Sequence, residues 1–197
     1  LYTYTVPVPP FTYNTLLANM GQMTNSGFEI GVRGDIIRTK DFTFNSGLNL
    51  SFQQNKLNTL SGTYKGQALT TSEHIAVANI NAAGLTQNTG VTYLIEGQPI
   101  GVFYLPHCEG INANGQYIIT DLDKNGTIDT GDSGDRYVCG QAIPKAYLGW
   151  DFTFKYKNWD LAMQFNGAFG HKIYNGTGMT YSNMNNFPTY NVLADAP

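Results

Sequence analysis

From Phe42 to Asn55 and again from Trp150 to Phe169, apolar and polar residues alternate one by one. In "FTFNSGLNLSFQQN" one face would carry Phe42, Phe44, Ser46, Leu48, Leu50 and Phe52, and the other Thr43, Asn45, Gly47, Asn49, Ser51 and Gln53. In "WDFTFKYKNWDLAMQFNGAF" the apolar set is Trp150, Phe152, Phe154 and Tyr156, then Trp159, Leu161, Met163 and Phe165 after a turn at Lys157 and Asn158. Asp151, Thr153, Lys155, Asp160, Ala162, Gln164 and Asn166 take the opposite face. "FEIGVRGDI" does the same, with Phe28, Ile30 and Val32 against Glu29, Gly31 and Arg33. Successive strand side chains point to opposite sides, so these runs predict an antiparallel sheet with one apolar and one wet face.

Strand length narrows the choice of solvent. Strands of soluble sandwiches run about 5–6 residues, whereas a tilted strand needs about 10 to cross a bilayer. Only "IRTKD" separates Ile36 from Phe42, and only "KN" separates Tyr156 from Trp159, but a long segment lies between Gln53 and Trp150. Short turns at one end and long loops at the other are the asymmetry of an outer-membrane barrel, with the long loops outside. Trp150 then lies toward the outer rim, while Tyr156 and Trp159 flank the inner one; these two also read simply as a cross-strand aromatic pair. A connection of such length is not left structureless in a folded protein. "SGTYKGQALTT" reads as turn-rich and "VTYLIEGQPIGVFY" as strand-like, so residues 54–149 are expected to form an extracellular loop subdomain within a barrel segment covering 1–197.

Composition agrees with an all-β chain. Charged residues are only 13% of the total, and there are 13 Tyr, 11 Phe and 22 Gly. A net charge of −3 without any Lys/Arg cluster argues against nucleic acid as a partner. No apolar run is long enough for a membrane-spanning helix. The chain opens at Leu1 with neither a basic nor an apolar leader, which is expected of an internal piece of a longer protein.

"DLDKNGTIDTGD", residues 121–132, carries oxygen ligands at the spacing of an EF-hand loop. Asp121, Asp123 and Asn125 occupy positions one, three and five, Gly126 the turn at six, Asp129 nine and Asp132 twelve. The flanks "GQYIIT" and "SGDRYVCG" read as strand and turn, not helices. The expected ligands of one structural Ca²⁺ are the side chains of Asp121, Asp123, Asn125 and Asp132 with the carbonyl of Thr127, Asp129 should contribute directly or through water, and Ile128 should point inward as the apolar anchor. Four carboxylates in twelve residues repel one another without a cation, so calcium removal should loosen the loop.

Four phrases in this order resemble the SusC/RagA-type TonB-linked outer-membrane proteins. They are "VPVPPFTYNTLLANMGQMTNSGFEIGVRG", "IEGQPIGVFYLPHCEGI", "YIITDLDKNGTIDTGD" and "IPKAYLGWDFTFKYKNWDLAMQFNGAFGHKIYN". The resemblance implies a slice from the later part of a large transmembrane barrel that imports oligosaccharides or peptides. It also implies energisation by TonB through a region absent here, and a SusD-like surface lipoprotein as cap. No TonB box, plug or closing strand is visible, and four long strands fall short of a closed barrel. At a cell surface Cys108 and Cys139, which flank the acidic loop, would be expected to form a disulfide closing about 30 residues.

Catalytic patterns are sparse. His74, His107 and His171 share no metal or triad spacing, and no nucleophile elbow or phosphate loop is present. Asp151 and Asp160 offer paired carboxylates, yet isolated acids on a wet wall are the commoner case, so no enzyme is expected. Two functions from different classes remain: a barrel segment of a nutrient importer, and a soluble, calcium-stabilised cell-surface module that binds glycans. Substrate-binding residues are not assigned.

Overall fold

A computed structural model describes residues 2–19, 21–69, 71–80, 89–131, 134–184 and 187–194. The strands in chain order begin with β1 (Tyr2–Thr5), β2 (Thr15–Ala18), β3 (Gln22–Arg38) and β4 (Phe42–Thr59). There follow β5 (Gly62–Tyr64), β6 (Gln67–Leu69), β7 (His74–Ile80), β8 (Thr89–Ile95), β9 (Val102–Pro106), β10 (Cys108–Ile111), β11 (Tyr117–Ile119) and β12 (Arg136–Gln141). The last strands are β13 (Ala146–Tyr156) and β14 (Trp159–Phe169), and α1 (Gly176–Tyr181), the single helix among the described residues, follows them. The chain is all-β, as the alternation predicts, and every pairing with a described register is antiparallel. No barrel closes among the described residues: the long strands form an open four-stranded sheet ordered β14-β13-β4-β3.

Two compact units divide the chain. One comprises Leu1–Met23, Lys56–Ala142 and Lys172–Pro197, and the other Thr24–Asn55 with Ile143–His171. The second unit is the long-stranded sheet. There β13 pairs with β14 without a register shift from Ala146↔Phe169 to Tyr156↔Trp159, closed by the two-residue turn foreseen at Lys157 and Asn158. Strand β13 also pairs with β4 from Ala146↔Phe52 to Tyr156↔Phe42, again unbroken. Strands of 17 and 18 residues in β3 and β4 exceed the run of about 10 that spans a bilayer.

The first unit is built of shorter strands around small cores. Its main sheet has the order β12-β9-β8-β7, and "VTYLIEGQPIGVFY" supplies the central pair β8 and β9 with a turn between them. Val91, Tyr93, Val102, Phe103 and Tyr104 on these strands are buried. Leu57, Leu60 and Ile75 form one further cluster, with Leu94 and Ile100 packed against it. Tyr4, Val6 and Leu69 form another, covered by Phe11, Leu16 and Ala18. The hairpin β5-β6 turns through Lys65 and Gly66 at φ +49° and +80°, the positive pair that a two-residue hairpin turn of the primed type requires.

Candidate functional site

Register decides what each face of the long-stranded sheet presents. Residues directly opposite each other across two strands share a face. Phe44, Phe154 and Leu161 therefore stand in one row, Leu48, Trp150 and Phe165 in another, and Phe42, Tyr156 and Trp159 in a third. Phe44 and Phe154 stack at 4.5 Å between ring centroids, Trp150 and Phe165 at 5.6 Å. Phe28 of β3 joins the same face by stacking on Phe52 at 4.8 Å. Ser46 is the one polar side chain in the middle of this face on β4. Its Oγ accepts from Trp150 Nε1 at 3.0 Å and donates to the Asp151 carbonyl at 3.1 Å, so the hydroxyl is satisfied within the sheet.

The apolar face is not covered. Trp159 is 80% exposed, and Val32, Phe28, Ile30, Leu161 and Phe165 also remain exposed. A contiguous bare apolar surface of this kind is foreign to soluble proteins and marks contact with lipid or another protein. The other face is wet. Arg33 Nη2 donates to Asp151 Oδ1 at 2.6 Å across Gly47. A Cβ on Gly47 would lie 2.8 Å from that oxygen and 2.9 Å from the guanidinium, so a side chain there would push the ion pair aside. Asn45 Nδ2 donates to Asp35 Oδ1 at 2.8 Å further along the same face. Asp151 is thus held by Arg33, and Asp160 stands opposite Lys155, an arrangement of wall charges rather than a catalytic carboxylate pair.

The acidic loop lies in the first unit, between β11 and β12. Asp121 accepts from the backbone N–H of Asn125 at 3.2 Å and of Gly126 at 2.8 Å, and Asp123 from Asn125 at 3.0 Å. Gly126 adopts φ +84°, the turn that position six needs. Asn125 Oδ1 accepts from the N–H and hydroxyl of Thr127 at 2.8 and 2.6 Å, and Asp129 from Gly131 N–H at 2.8 Å. Asp132 lies outside the described residues. Carboxylate oxygens of Asp121, Asp123 and Asp135 lie within 4.8 Å of one another. Asp135 was missed by the sequence reading because it falls three residues beyond the twelve-residue template. It is 1% exposed and accepts backbone N–H groups of Asp129 at 2.9 Å and Leu122 at 2.7 Å. The Asp129 N–H above all, helped by those of Leu122 and Asp123 and opposed by burial, holds its carboxyl below the usual range.

Two sequence expectations are corrected here. Cys108 and Cys139 are free thiols, not a disulfide. Cys108 sits in the hairpin β10-β11 with Sγ directed to the Gly110 carbonyl, and Cys139 in β12 with Sγ directed to the Phe103 carbonyl. Each thiol belongs to a different sheet and serves its own strand neighbourhood. Burial raises the Cys139 thiol above its ordinary value, which Lys172 partly offsets. Ile128 is 51% exposed instead of pointing inward, because the loop has no flanking helices to offer an apolar wall.

A long-stranded antiparallel sheet with one bare apolar face and one ion-paired wet face defines a membrane-type β-sheet segment. Relatives identify it further. TonB-dependent receptor P26 of Formosa agariphila is 30% identical over 186 residues, 86% of this chain and 17% of that protein. TonB-dependent receptor P3 of the same organism is 26% identical over 188 residues, and TonB-dependent receptor SusC of Bacteroides thetaiotaomicron 25% over 172. The RagAB peptide transporter structure superposes with a TM-score of 0.57 at 19% identity, covering 91% of this chain and 19% of that one. RagAB in its open-open state gives 0.58 at 19% identity, covering 86% and 17%; these two likenesses carry the fold. No family model matches the chain. The chain is similar over most of its length to a segment of SusC/RagA-type TonB-dependent receptors, and it spans 16–17% of the length of SusC, P3 and P26. Those relatives are receptors by name.

Proposed function

We propose that this chain forms part of the wall, lumen and mouth of an outer-membrane, TonB-dependent importer of oligosaccharides or peptides. The observation that carries the reading is the bare apolar face of β3, β4, β13 and β14 backed by an ion-paired wet face. In lipid every backbone polar group must be paired within the protein, and paired strands with apolar residues outward meet that demand. On this reading the first unit, which holds most of the long connection between β4 and β13, faces the cell exterior. There a SusD-like lipoprotein caps the barrel, while TonB acts through a part of the protein beyond this segment. The alternative, a soluble glycan-binding module, would leave Trp159 and its neighbours in water. Cysteine accessibility in the full-length receptor tests the placement. Cysteines at Phe154, Leu161 and Met163 should react only with membrane-partitioning thiol reagents, and those at Thr153 and Gln164 only with aqueous ones. Equal aqueous labelling of both sets would refute it.

The acidic loop is proposed to bind one structural Ca²⁺ through Asp121, Asp123, Asn125, the Thr127 carbonyl, Asp129 and Asp132. The convergence of Asp121 and Asp123 on Asp135 supports the reading, because three carboxylates at such range repel unless a cation sits among them. Limited proteolysis of the receptor with and without a chelator reads this out. Cleavage within residues 121–135 should rise when calcium is removed, and indifference to the chelator would leave only a hydrogen-bonded turn.

A further inference from the structure

On the wet face of the long-stranded sheet, β4, β13 and β14 present Thr, Asn, Ser, Gln, Asp, Lys, Ala and Gly, and one aromatic residue. That residue is Tyr147, opposite Ser51 and Ala168, and it is 40% exposed. An aromatic ring breaks the alternation that governs the rest of these strands, and it packs into no core cluster of the described residues. It borders an open pocket of about 220 Å³ that is also lined by Glu29, Asn49, Ser51, Gly149 and Asn166. The floor is low because glycines flank Asn49 across the sheet. Gly149 stands directly opposite it, and a Cβ on Gly31 would meet its Oδ1 at 2.8 Å.

The chemistry of this pocket is selective. Asn49 and Asn166 each offer an amide donor pair and an acceptor, Ser51 a hydroxyl, and Glu29 an acceptor carboxylate. None of these four side chains is engaged in a hydrogen bond among the described residues. Among the described residues the Tyr147 hydroxyl receives only a long bond of 3.4 Å from Gln53 Nε2 and donates none. No cationic side chain lines the pocket among the described residues. The neighbouring pocket of about 410 Å³ on the same face differs. Arg38 and Lys155 line it, with Asp35 bound to Asn45 and Arg38. A carboxylate or other anion would prefer that pocket. A ring that is apolar on its faces and ringed by hydroxyls suits the first: the tyrosine takes the face, and the amides and carboxylate take the hydroxyls.

We propose that Tyr147, Glu29, Asn49 and Asn166 form a subsite for one uncharged sugar ring on the lumen wall. The proposal rests on the importer reading above and narrows its substrate, at this site, from oligosaccharide or peptide to a neutral saccharide. The test uses the purified full-length receptor in detergent, titrated calorimetrically with uncharged hexasaccharides of glucose, mannose, galactose and xylose and with a hexa-alanine peptide. One of the saccharides should bind. Tyr147→Ala and Asn166→Ala should each weaken it about tenfold, the loss expected for one removed contact. Thr153→Ala, on the other pocket, should stay within about twofold. Should Tyr147→Ala fail to fold, Asn166→Ala carries the test, and full affinity in Asn166→Ala then overturns the proposal. Binding by none of the saccharides, or full affinity in Tyr147→Ala, overturns the proposal. Peptide uptake that depends on the receptor, with no saccharide bound, would overturn the subsite and leave the importer standing. Unchanged uptake of saccharides and peptides in a strain lacking the receptor would overturn the importer itself.

Discussion

In the first unit Tyr4, Leu69, Val91, Tyr93 and Val102 are almost wholly shielded, whereas in the long-stranded sheet Val32, Trp159 and Phe165 keep about half or more of their surface open. Both regions are antiparallel β-structure made from the same residue types. They differ in the direction in which apolar side chains are turned, which tells what surrounds each region. The first unit buries Tyr4, Val6 and Leu69 in one small internal cluster and Leu57, Leu60 and Ile75 in another. The sheet turns a continuous stripe outward and relies on its surroundings to cover it. Its wet side is correspondingly organised by Arg33–Asp151 and Asp35–Asn45 instead of by packing.

This contrast can be broken at its strongest point by one substitution made twice. Leu69→Ala in the first unit should cost about 2–5 kcal/mol, because its neighbours Tyr4 and Val6 leave a cavity behind. Leu161→Ala on the sheet should cost less, since lipid chains move into the space. Urea unfolding of the receptor in vesicles, with local probes in each unit, compares the two. A larger loss at Leu161 would reverse the assignment.

A charge tests the solvent directly. Met163→Arg should cost about 2–4 kcal/mol when its side chain meets the bilayer interior, while Gln164→Arg, one residue on and on the wet face, should change little. Equal effects in a lipid folding assay would mean that the two faces see the same medium.

A smaller effect is expected at Gly47. Its replacement by alanine should part Arg33 from Asp151, an exposed pair worth no more than about 1 kcal/mol. Arg33→Ala combined with Gly47→Ala should add nothing further if the ion pair is the whole cause, which a double-mutant cycle checks.

The last prediction concerns pH in the first unit. Glu96 Oε1 accepts from Leu60 N–H at 2.6 Å and Thr59 Oγ1 at 3.1 Å. The Leu60 N–H foremost, opposed by burial and helped by Thr59 and Ser61, holds the Glu96 carboxyl below its ordinary value. A lowered carboxyl stabilises the folded form fully above the unfolded value of about 4.3, and that stabilisation is lost as pH falls through the lower folded value. Hydrogen exchange at the Leu60 amide should therefore quicken, relative to its neighbours, only in acid. In Glu96→Gln the exchange should be faster at neutral pH and should lose that acid step. An unchanged acid step in the variant would assign it to another group.

The sequence by itself determined the membrane-type sheet. Phe44, Leu48, Phe152, Phe154, Leu161 and Phe165 fall on one face because a strand alternates its side chains by backbone geometry alone, and the structure keeps that alternation in one register across β4, β13 and β14. The turn at Lys157 and Asn158 and the positive φ of Gly126 were legible for the same reason, being local. Tertiary structure alone decided which distant segments meet. It set β13 beside β4, with Gln53 N–H bonded to the Lys145 carbonyl at 2.9 Å, and so placed Tyr147 and Asn49 in one pocket. It brought Asp135 back onto Asp121 and Asp123, and it gave Cys108 and Cys139 to different sheets. Periodicity is a property of one strand, whereas such meetings depend on which backbone hydrogen bonds pair strands far apart in the chain, and nothing in the residue pattern of either strand specifies its partner.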